Sequence, residues 1–247
     1  MTSFVLLHGG GTTSRFWDRL APLLGDTTLA VNLPGRGDRP HDLGSLTVQD
    51  EVASVVSDIE NAGLEPPIVV VAHSSGGLVV PGVVTALQGV VSHIVLNAAS
   101  VPPEGGTGLD CMQPRHREGI MLAYESLRAS GKAMLTPGPP SDLETFRNAY
   151  GVPLSDEDLA FVVDPVRCVV DTMSHYFQPV SWRTAPKAPV TYVVNRLDRP
   201  VPEALQREMI GRLPVSPTVV ELESGHIPAI VMPGQFAAIV TAAGARD

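Results

Sequence analysis

Residues 69–79 read VVVAHSSGGLV, which places two serines between a histidine and a pair of glycines. A serine hydroxyl becomes a nucleophile when a base takes its proton, a third group holds the base, and donors receive the charge that develops on the acyl group. A strand-to-helix turn that projects a serine must be so sharp that the residues two positions either side of it are small. Centred on Ser74 those flanks are Ala72 and Gly76, whereas centred on Ser75 they are His73 and Gly77, and His73 is too bulky. Ser74 is therefore the candidate nucleophile, in an elbow that departs from the usual pattern by carrying Ala72 where glycine is common. Ser75 is expected to lend its backbone N–H, with a side chain that alanine could replace.

Three further stretches carry the remaining parts. LLHGGG at 6–11 follows a short apolar run, and its glycines let backbone N–H groups face a ligand. Gly10 is the expected oxyanion donor beside the Ser75 N–H, with Gly11 in reserve. A phosphate loop is the weaker reading, because the chain has neither G-x-G-x-x-G nor G-x-x-x-x-G-K-[ST] here. VVNRLDRPVP at 193–202 puts Asp198 after a strand and before a helix, where it could orient a histidine. Asp164 and Asp171 compete for that role from a region where such an acid would be unusual. ESGHIPAI at 223–230 puts His226 after the last strand. Among seven histidines, His226 alone completes the order Ser…Asp…His. His8 and His73 are expected to support their loops by hydrogen bonding, and His41, His93, His116 and His175 to have surface or cap roles.

These groups need a scaffold that brings distant strand ends together. Phe4–Leu7, Thr28–Leu33, Ile68–Val71, Ile94–Leu96, Val190–Val194 and Thr218–Leu222 are continuous apolar or β-branched runs, six expected strands. Between them 14–24, Thr47 onward, 75–87, 202–213 and about 232–243 read as helices, with Thr47 as an N-cap. Fully apolar strands alternating with helices imply a parallel sheet covered on both faces, a three-layer, doubly wound α/β sandwich. Residues 101–188 break the rhythm: they hold TPGPP at 136–140, no convincing strand, and helix starts at 141–146 and 155–163. They read as a helical cap inserted into a core of 1–100 and 189–247.

Composition limits the function. The net charge of −9 repels nucleic acid and anionic membranes, so neither is expected as a partner. Arg115-His116-Arg117 is the densest basic cluster and is explained by a solvated helix face. Cys111 and Cys168 lack metal spacing and are expected as reduced thiols in a cytoplasmic protein. No metal or cofactor is called for. The N-terminus has no basic segment before its short apolar run, and no stretch approaches a membrane span.

VLLHGGG…FW, LPGRGDRP, AHSSGG, NRLDRPVP and SGHIP occur in the order in which the α/β-hydrolase superfamily carries them, and the chain resembles that superfamily throughout. Its first HG comes at residues 8–9, so counterparts of the family's two N-terminal antiparallel strands are not expected. By size and short cap it is most similar to the small methylesterase and hydroxynitrile-lyase-like subgroup. The resemblance implies a triad of Ser74, Asp198 and His226, an oxyanion hole of Gly10 and Ser75 N–H groups, and no cofactor. Related epoxide hydrolases and dehalogenases use an Asp nucleophile, and hydroxynitrile lyases carry Lys after the catalytic His, where this chain has Ile227.

The expected activity is hydrolysis of a neutral, largely apolar small-molecule ester or lactone by a monomer or homodimer. Met112, Met121, Leu122, Tyr124, Phe146, Phe161, Met173, Tyr176 and Phe177 are the candidates from the cap for packing or substrate contact, and Arg115 or Arg147 could meet an acidic group. Alternatives are a cofactor-free dioxygenase, in which the His acts as base toward a ring hydroxyl, a thioesterase, or a non-catalytic receptor of the same fold.

Overall fold

A computed structural model describes residues 1–25, 27–185 and 187–245. In chain order the strands are β1 (Ser3–Leu7), β2 (Thr28–Val31), β3 (Ile68–His73), β4 (Val91–Asn97), β5 (Leu135–Thr136), β6 (Asp171–Thr172), β7 (Val190–Asn195) and β8 (Thr218–Leu222). The α-helices are α1 (Ala21–Leu24), α2 (Val48–Asn61), α3 (Val80–Ala86), α4 (Pro114–Ala129), α5 (Leu143–Arg147), α6 (Asp156–Val163), α7 (Glu203–Ile210), α8 (Pro228–Val231) and α9 (Pro233–Gly244). Six strands form one sheet in the order β2-β1-β3-β4-β7-β8, and every pairing in it is parallel. The chain leaves β1 toward β2 on one side and returns to β3 on the other, so the crevice beyond the ends of β1 and β3 lies where the strand order reverses. Open α/β sheets bind ligands at such a point.

The two faces of the sheet explain its uninterrupted apolar strands. Val5, Leu7, Val70, Ala72, Leu96 and Tyr192 face one layer with Val52, Val55 and Ile59 of α2 and Val83 of α3. Phe4, Leu6, Val69, Val71, Val95 and Val193 face the other with Trp17, Leu20 and Phe236 and Val240 of α9. Burying a side chain of this size is worth about 1.5–3 kcal/mol. These two layers fix where the strand ends, and hence the site, must be. The Thr47 cap holds α2 through a capping box with Asp50.

Several local expectations are corrected. The single helix over 14–24 is a 3-10 turn, Ser14–Trp17, followed by the one-turn α1. Pro22 explains the break, since it cannot donate to a preceding carbonyl. The expected helix over 75–87 begins as a 3-10 turn, Ser74–Leu78, before α3. The final helix keeps its expected span as α9, and a separate one-turn helix, α8, precedes it. The segment between β4 and β7 is not free of strands: β5 and β6 form a two-residue antiparallel ladder. Its helices α5 and α6 start where expected, capped by Asp142 and Ser155, and α4 carries the Arg115-His116-Arg117 cluster on an exposed first turn. Leu154, Leu159 and Val162 of this segment pack into the core on one side, and Val180 and Trp182 on the other.

Candidate active site

Ser74 opens the 3-10 turn directly after β3 with φ 51°, a left-handed conformation that costs a non-glycine residue energy unless the surroundings enforce it. Here they do. The Ser74 carbonyl accepts from the Ser100 N–H at 2.8 Å. A Cβ on Gly76 would lie 2.7 Å from the His8 carbonyl oxygen, and one on Gly77 2.5 Å from that of Ser100. The turn is pressed against the ends of β1 and of the loop after β4, and only glycine fits at both positions. At the other flank the Ala72 methyl is fully buried in register between Leu7 and Leu96, so the tightness lies on the helix side of Ser74 and the methyl is accommodated on the strand side.

Asp198 and His226 come together from the loops after β7 and β8. His226 Nδ1 lies 2.6 Å from Asp198 Oδ2, and Asp198 Oδ1 accepts from the Val201 N–H at 2.8 Å. Both residues are buried. Occupation of Nδ1 by the carboxylate leaves Nε2 as the ring nitrogen open to a hydroxyl. The imidazole is held between two rings, with the centroid of His73 at 4.5 Å and that of Tyr150 at 6.0 Å, and its backbone N–H donates to the Tyr150 carbonyl at 2.9 Å. The competing acids are engaged elsewhere: Asp164 with Arg167, and Asp171 with Arg36. Among the described residues the Ser74 hydroxyl has no hydrogen-bond partner. Catalytic hydrogen bonds are often long in unliganded sites and tighten with substrate.

A ladder of buried amides joins the elbow to the histidine loop. Asn97 at the end of β4 donates to His73 Nδ1 at 3.1 Å. Asn195 at the end of β7 donates to Asn97 Oδ1 at 3.0 Å and to the His226 carbonyl at 3.4 Å. Burial pushes the His73 imidazole well below its ordinary pKa, helped by the neighbouring His226.

Opposite the elbow, the loop after β1 is pinned peptide by peptide. Leu33 N–H donates to His8 Nε2 at 3.2 Å, which leaves the proton on Nδ1, and His8 Nδ1 donates to the Gly9 carbonyl at 2.8 Å. Burial first, then the Arg36 charge, lower the His8 pKa to about 4, so the ring is neutral. His8 and His73 thus support their loops as expected. The Gly10 N–H has no partner among the described residues, and the Ser75 N–H is one of the free amides of a first helical turn. Gly11, the reserve donor, gives its N–H to Asp171 Oδ2 at 2.7 Å, so of the two expected donors Gly10 is the one with an open N–H. The Ser75 hydroxyl is not idle: it meets the hydroxyl of the half-buried Tyr176.

Two cavities, of about 790 and 650 Å³, share Ser74, Ala149, Tyr176 and Arg199. Of the expected cap residues, Phe146 and Tyr176 line the first, and Met112, Met173 and Tyr176 the second. Tyr124 and Phe177 stack on each other at 4.0 Å in a separate depression, Phe161 lies beneath Arg19 and Arg167, and Met121 and Leu122 are exposed. Arg115 reaches the second cavity, whereas Arg147 is tied to Asp156 and the Leu154 carbonyl. The sequence reading missed Tyr150, which flanks His226, and the TPGPP run, whose Pro137, Pro139 and Pro140 form cavity wall. It also gave His93 a surface role that its burial contradicts, whereas His175 lies within the expected cap segment. His93 is buried on β4 with Nε2 2.9 Å from Thr191 Oγ1, and His175 is buried beside Glu51 at 3.3 Å. Cys111 and Cys168 are both free. Among the described residues no group of histidine, cysteine or acidic side chains could hold a metal ion, and no helix is long and apolar enough to cross a membrane.

Solved structures share this architecture over nearly their whole length. An extracellular α/β-hydrolase from a Paenibacillus species, described as sharing structural and functional homology with tobacco salicylic acid binding protein 2, superposes with a TM-score of 0.80 at 22% identity, covering 100% of both chains. A pyrethroid hydrolase from Sphingobium faniae gives 0.73 at 19% identity, covering 99% of this chain and 98% of its own. The methylesterase MES16 from Arabidopsis gives 0.71 at 20%, covering 98% of each chain. No curated protein matches by sequence. The sequence matches the family described as Alpha/beta hydrolase over residues 4–239, nearly its full length, and the chain belongs to that family.

Proposed function

We propose that the chain is a serine hydrolase that cleaves a neutral, largely apolar small-molecule carboxylic ester or lactone through an acyl-enzyme on Ser74. The observation that carries this reading is the buried His226–Asp198 pair, at 2.6 Å, on the same sheet edge as a serine held at φ 51°. His226 Nε2 takes the Ser74 proton as Oγ attacks the carbonyl carbon, and Asp198 stabilises the imidazolium. The Gly10 and Ser75 N–H groups receive the developing oxyanion. His226 then gives the proton to the leaving alcohol, and in the second half-reaction it takes a proton from the water that attacks the acyl-enzyme. No cofactor takes part.

Ser74 lies where the two cavities meet, so the ester has room for a sizeable group on each side of its carbonyl. Phe146, Tyr150 and Val162 line one side, and Met112, Ile120 and Met173 the other. These walls favour apolar acyl and alcohol moieties. Residues 101–188 act as the cap over a core of 1–100 and 189–247. The structural neighbours include a methylesterase and pyrethroid hydrolases by name, which supports ester chemistry over the dioxygenase, thioesterase and receptor alternatives. We assign the chain to the cytoplasm on its two free thiols, and expect it to act as a monomer or homodimer.

The test is a pre-steady-state assay with p-nitrophenyl esters of increasing acyl length. An acyl-enzyme mechanism gives a burst of one p-nitrophenol per chain, abolished in Ser74→Ala. Steady turnover that survives Ser74→Ala overturns the mechanism.

A further inference from the structure

The loop that presents the Gly10 N–H consists of three consecutive glycines, and glycine is the residue least able to hold its own peptide planes. Catalysis by an oxyanion donor depends on that plane being fixed before the substrate arrives. The donors that fix it come from two places. Within the loop, His8 Nδ1 at 2.8 Å and Thr12 Oγ1 at 3.0 Å both donate to the Gly9 carbonyl. Because a trans peptide points its N–H opposite its C=O, this aims the Gly10 N–H away from those donors. The next peptide is held from the cap. Its N–H, that of Gly11 at φ +67°, donates to Asp171 Oδ2 at 2.7 Å. Around this bond, residues 166–169 are stitched to the same loop: the Val169 N–H donates to the Gly11 carbonyl at 2.9 Å, and Thr13 Oγ1 donates to the Val166 carbonyl at 2.7 Å.

Asp171 is itself anchored in the core. It is fully buried, and its Oδ1 lies 2.5 Å from Arg36 Nη2 and accepts from the Thr172 N–H at 2.6 Å. Arg36, also buried, places Nη1 2.6 Å from Glu51 Oε1 in the first turn of α2. Five residues beyond Asp171, Tyr176 meets the Ser75 hydroxyl, and its own hydroxyl lies 3.0 Å from where a Cβ on Gly10 would stand. One strap of the cap, 166–176, therefore touches both residues whose N–H groups would receive the oxyanion.

We propose that Asp171 is a positioning residue for the oxyanion hole: its carboxylate locks the Gly11 peptide so that the adjacent Gly10 N–H faces the carbonyl on Ser74, and the Arg36–Glu51 pair holds that carboxylate in place. The cap is thus a structural part of the catalytic machinery as well as a wall of the cavities. This inference rests on the acyl-enzyme reading above.

The experiment compares wild type with Asp171→Asn, which keeps the shape, and Asp171→Ala. We expect kcat to fall about 10- to 100-fold, below the 10²–10³ lost when a donor is removed outright, with KM changed less than about threefold. Affinity for a trifluoromethyl ketone, which forms a tetrahedral adduct bearing the oxyanion, falls by the same factor as kcat/KM. Affinity for the alcohol product, which has no carbonyl oxygen for the oxyanion donors to hold, is unchanged. An unchanged kcat in Asp171→Asn, or product affinity falling together with kcat, overturns the positioning role. If wild-type Ser74 forms no ketone adduct at all, it is the acyl-enzyme reading that fails. Should neither variant fold, amide hydrogen exchange in the wild-type protein decides: the Gly11 N–H must exchange at least tenfold more slowly than that of Gly10, and equal rates overturn the proposal.

Discussion

Gly76→Ala is the sharpest perturbation of the elbow, because its consequence can be worked out atom by atom. The added Cβ would stand 2.7 Å from the His8 carbonyl oxygen and 3.0 Å from that of Leu7. A carbon needs about 3.3 Å from a carbonyl oxygen, so the turn and the end of β1 must separate by roughly 0.6 Å. Neither side can yield without consequence. The turn carries Ser74 two residues earlier, and the end of β1 carries the glycine loop. Overpacking of this kind costs about 1–3 kcal/mol, and each kcal/mol lowers Tm by about 2–4 °C in a chain of this length. A displacement near 1 Å at reacting groups is worth on the order of 100-fold in rate, so half that shift should cost about tenfold or more in kcat. The assay is p-nitrophenyl ester turnover paired with a calorimetric melt. Gly234→Ala on α9 is the control, since a Cβ there meets nothing within 4 Å, and both its Tm and its kcat should be at least wild type. Wild-type kcat and Tm in Gly76→Ala would refute the argument that the elbow is braced by direct contact with β1.

Three other outcomes follow from the same geometry. Asp198→Asn, which leaves His226 free to take the wrong tautomer, should lower kcat by on the order of 10⁴ with little change in KM or Tm; a loss under tenfold would show that Asp198 does not hold the base. His8 takes up a proton near pH 6.5 in the unfolded chain and near 4 in the folded one, so its contribution to stability is complete above about pH 6.5 and declines as pH falls toward 4. The loss is on the order of 3 kcal/mol, and denaturant melts of His8→Gln should show a correspondingly flatter pH dependence than wild type across that interval. Thiol titration of the native protein should find two free cysteines, with Cys111 the slow one, because burial pushes its thiol up to about 12; a single titratable thiol or none would contradict this.

What could be read from the sequence was whatever a strand end announces locally. Val69–Val71 and Val193–Val194 are buried on both faces, so their apolar runs are uninterrupted and the residues after them, Ser74 and Asp198, stand out. The choice of Ser74 over Ser75 needed only the sizes of Ala72, His73 and Gly76. The missing parts are contacts between residues far apart in the chain. Arg36, Glu51 and Asp171 are buried together, yet each looks ordinary alone: an arginine in a turn, a glutamate in a helix's first turn, an aspartate in a cap. One local signal was available. Glu51 lies on the same face of α2 as Val55, Asp58 and Ile59, and a charge on a buried stripe requires a partner. The Pro-rich run at 136–140 marked a break in the strand pattern, but nothing in its composition said that it walls a cavity beside Ser74.

The most direct test of the account is covalent labelling with a fluorophosphonate probe, followed by mass spectrometry of the tryptic peptide that contains VVVAHSSGGLV. The account predicts stoichiometric modification of Ser74, unaffected by Ser75→Ala and lost in both Ser74→Ala and His226→Ala. Label on Ser75, or undiminished labelling after Ser74→Ala, would contradict it.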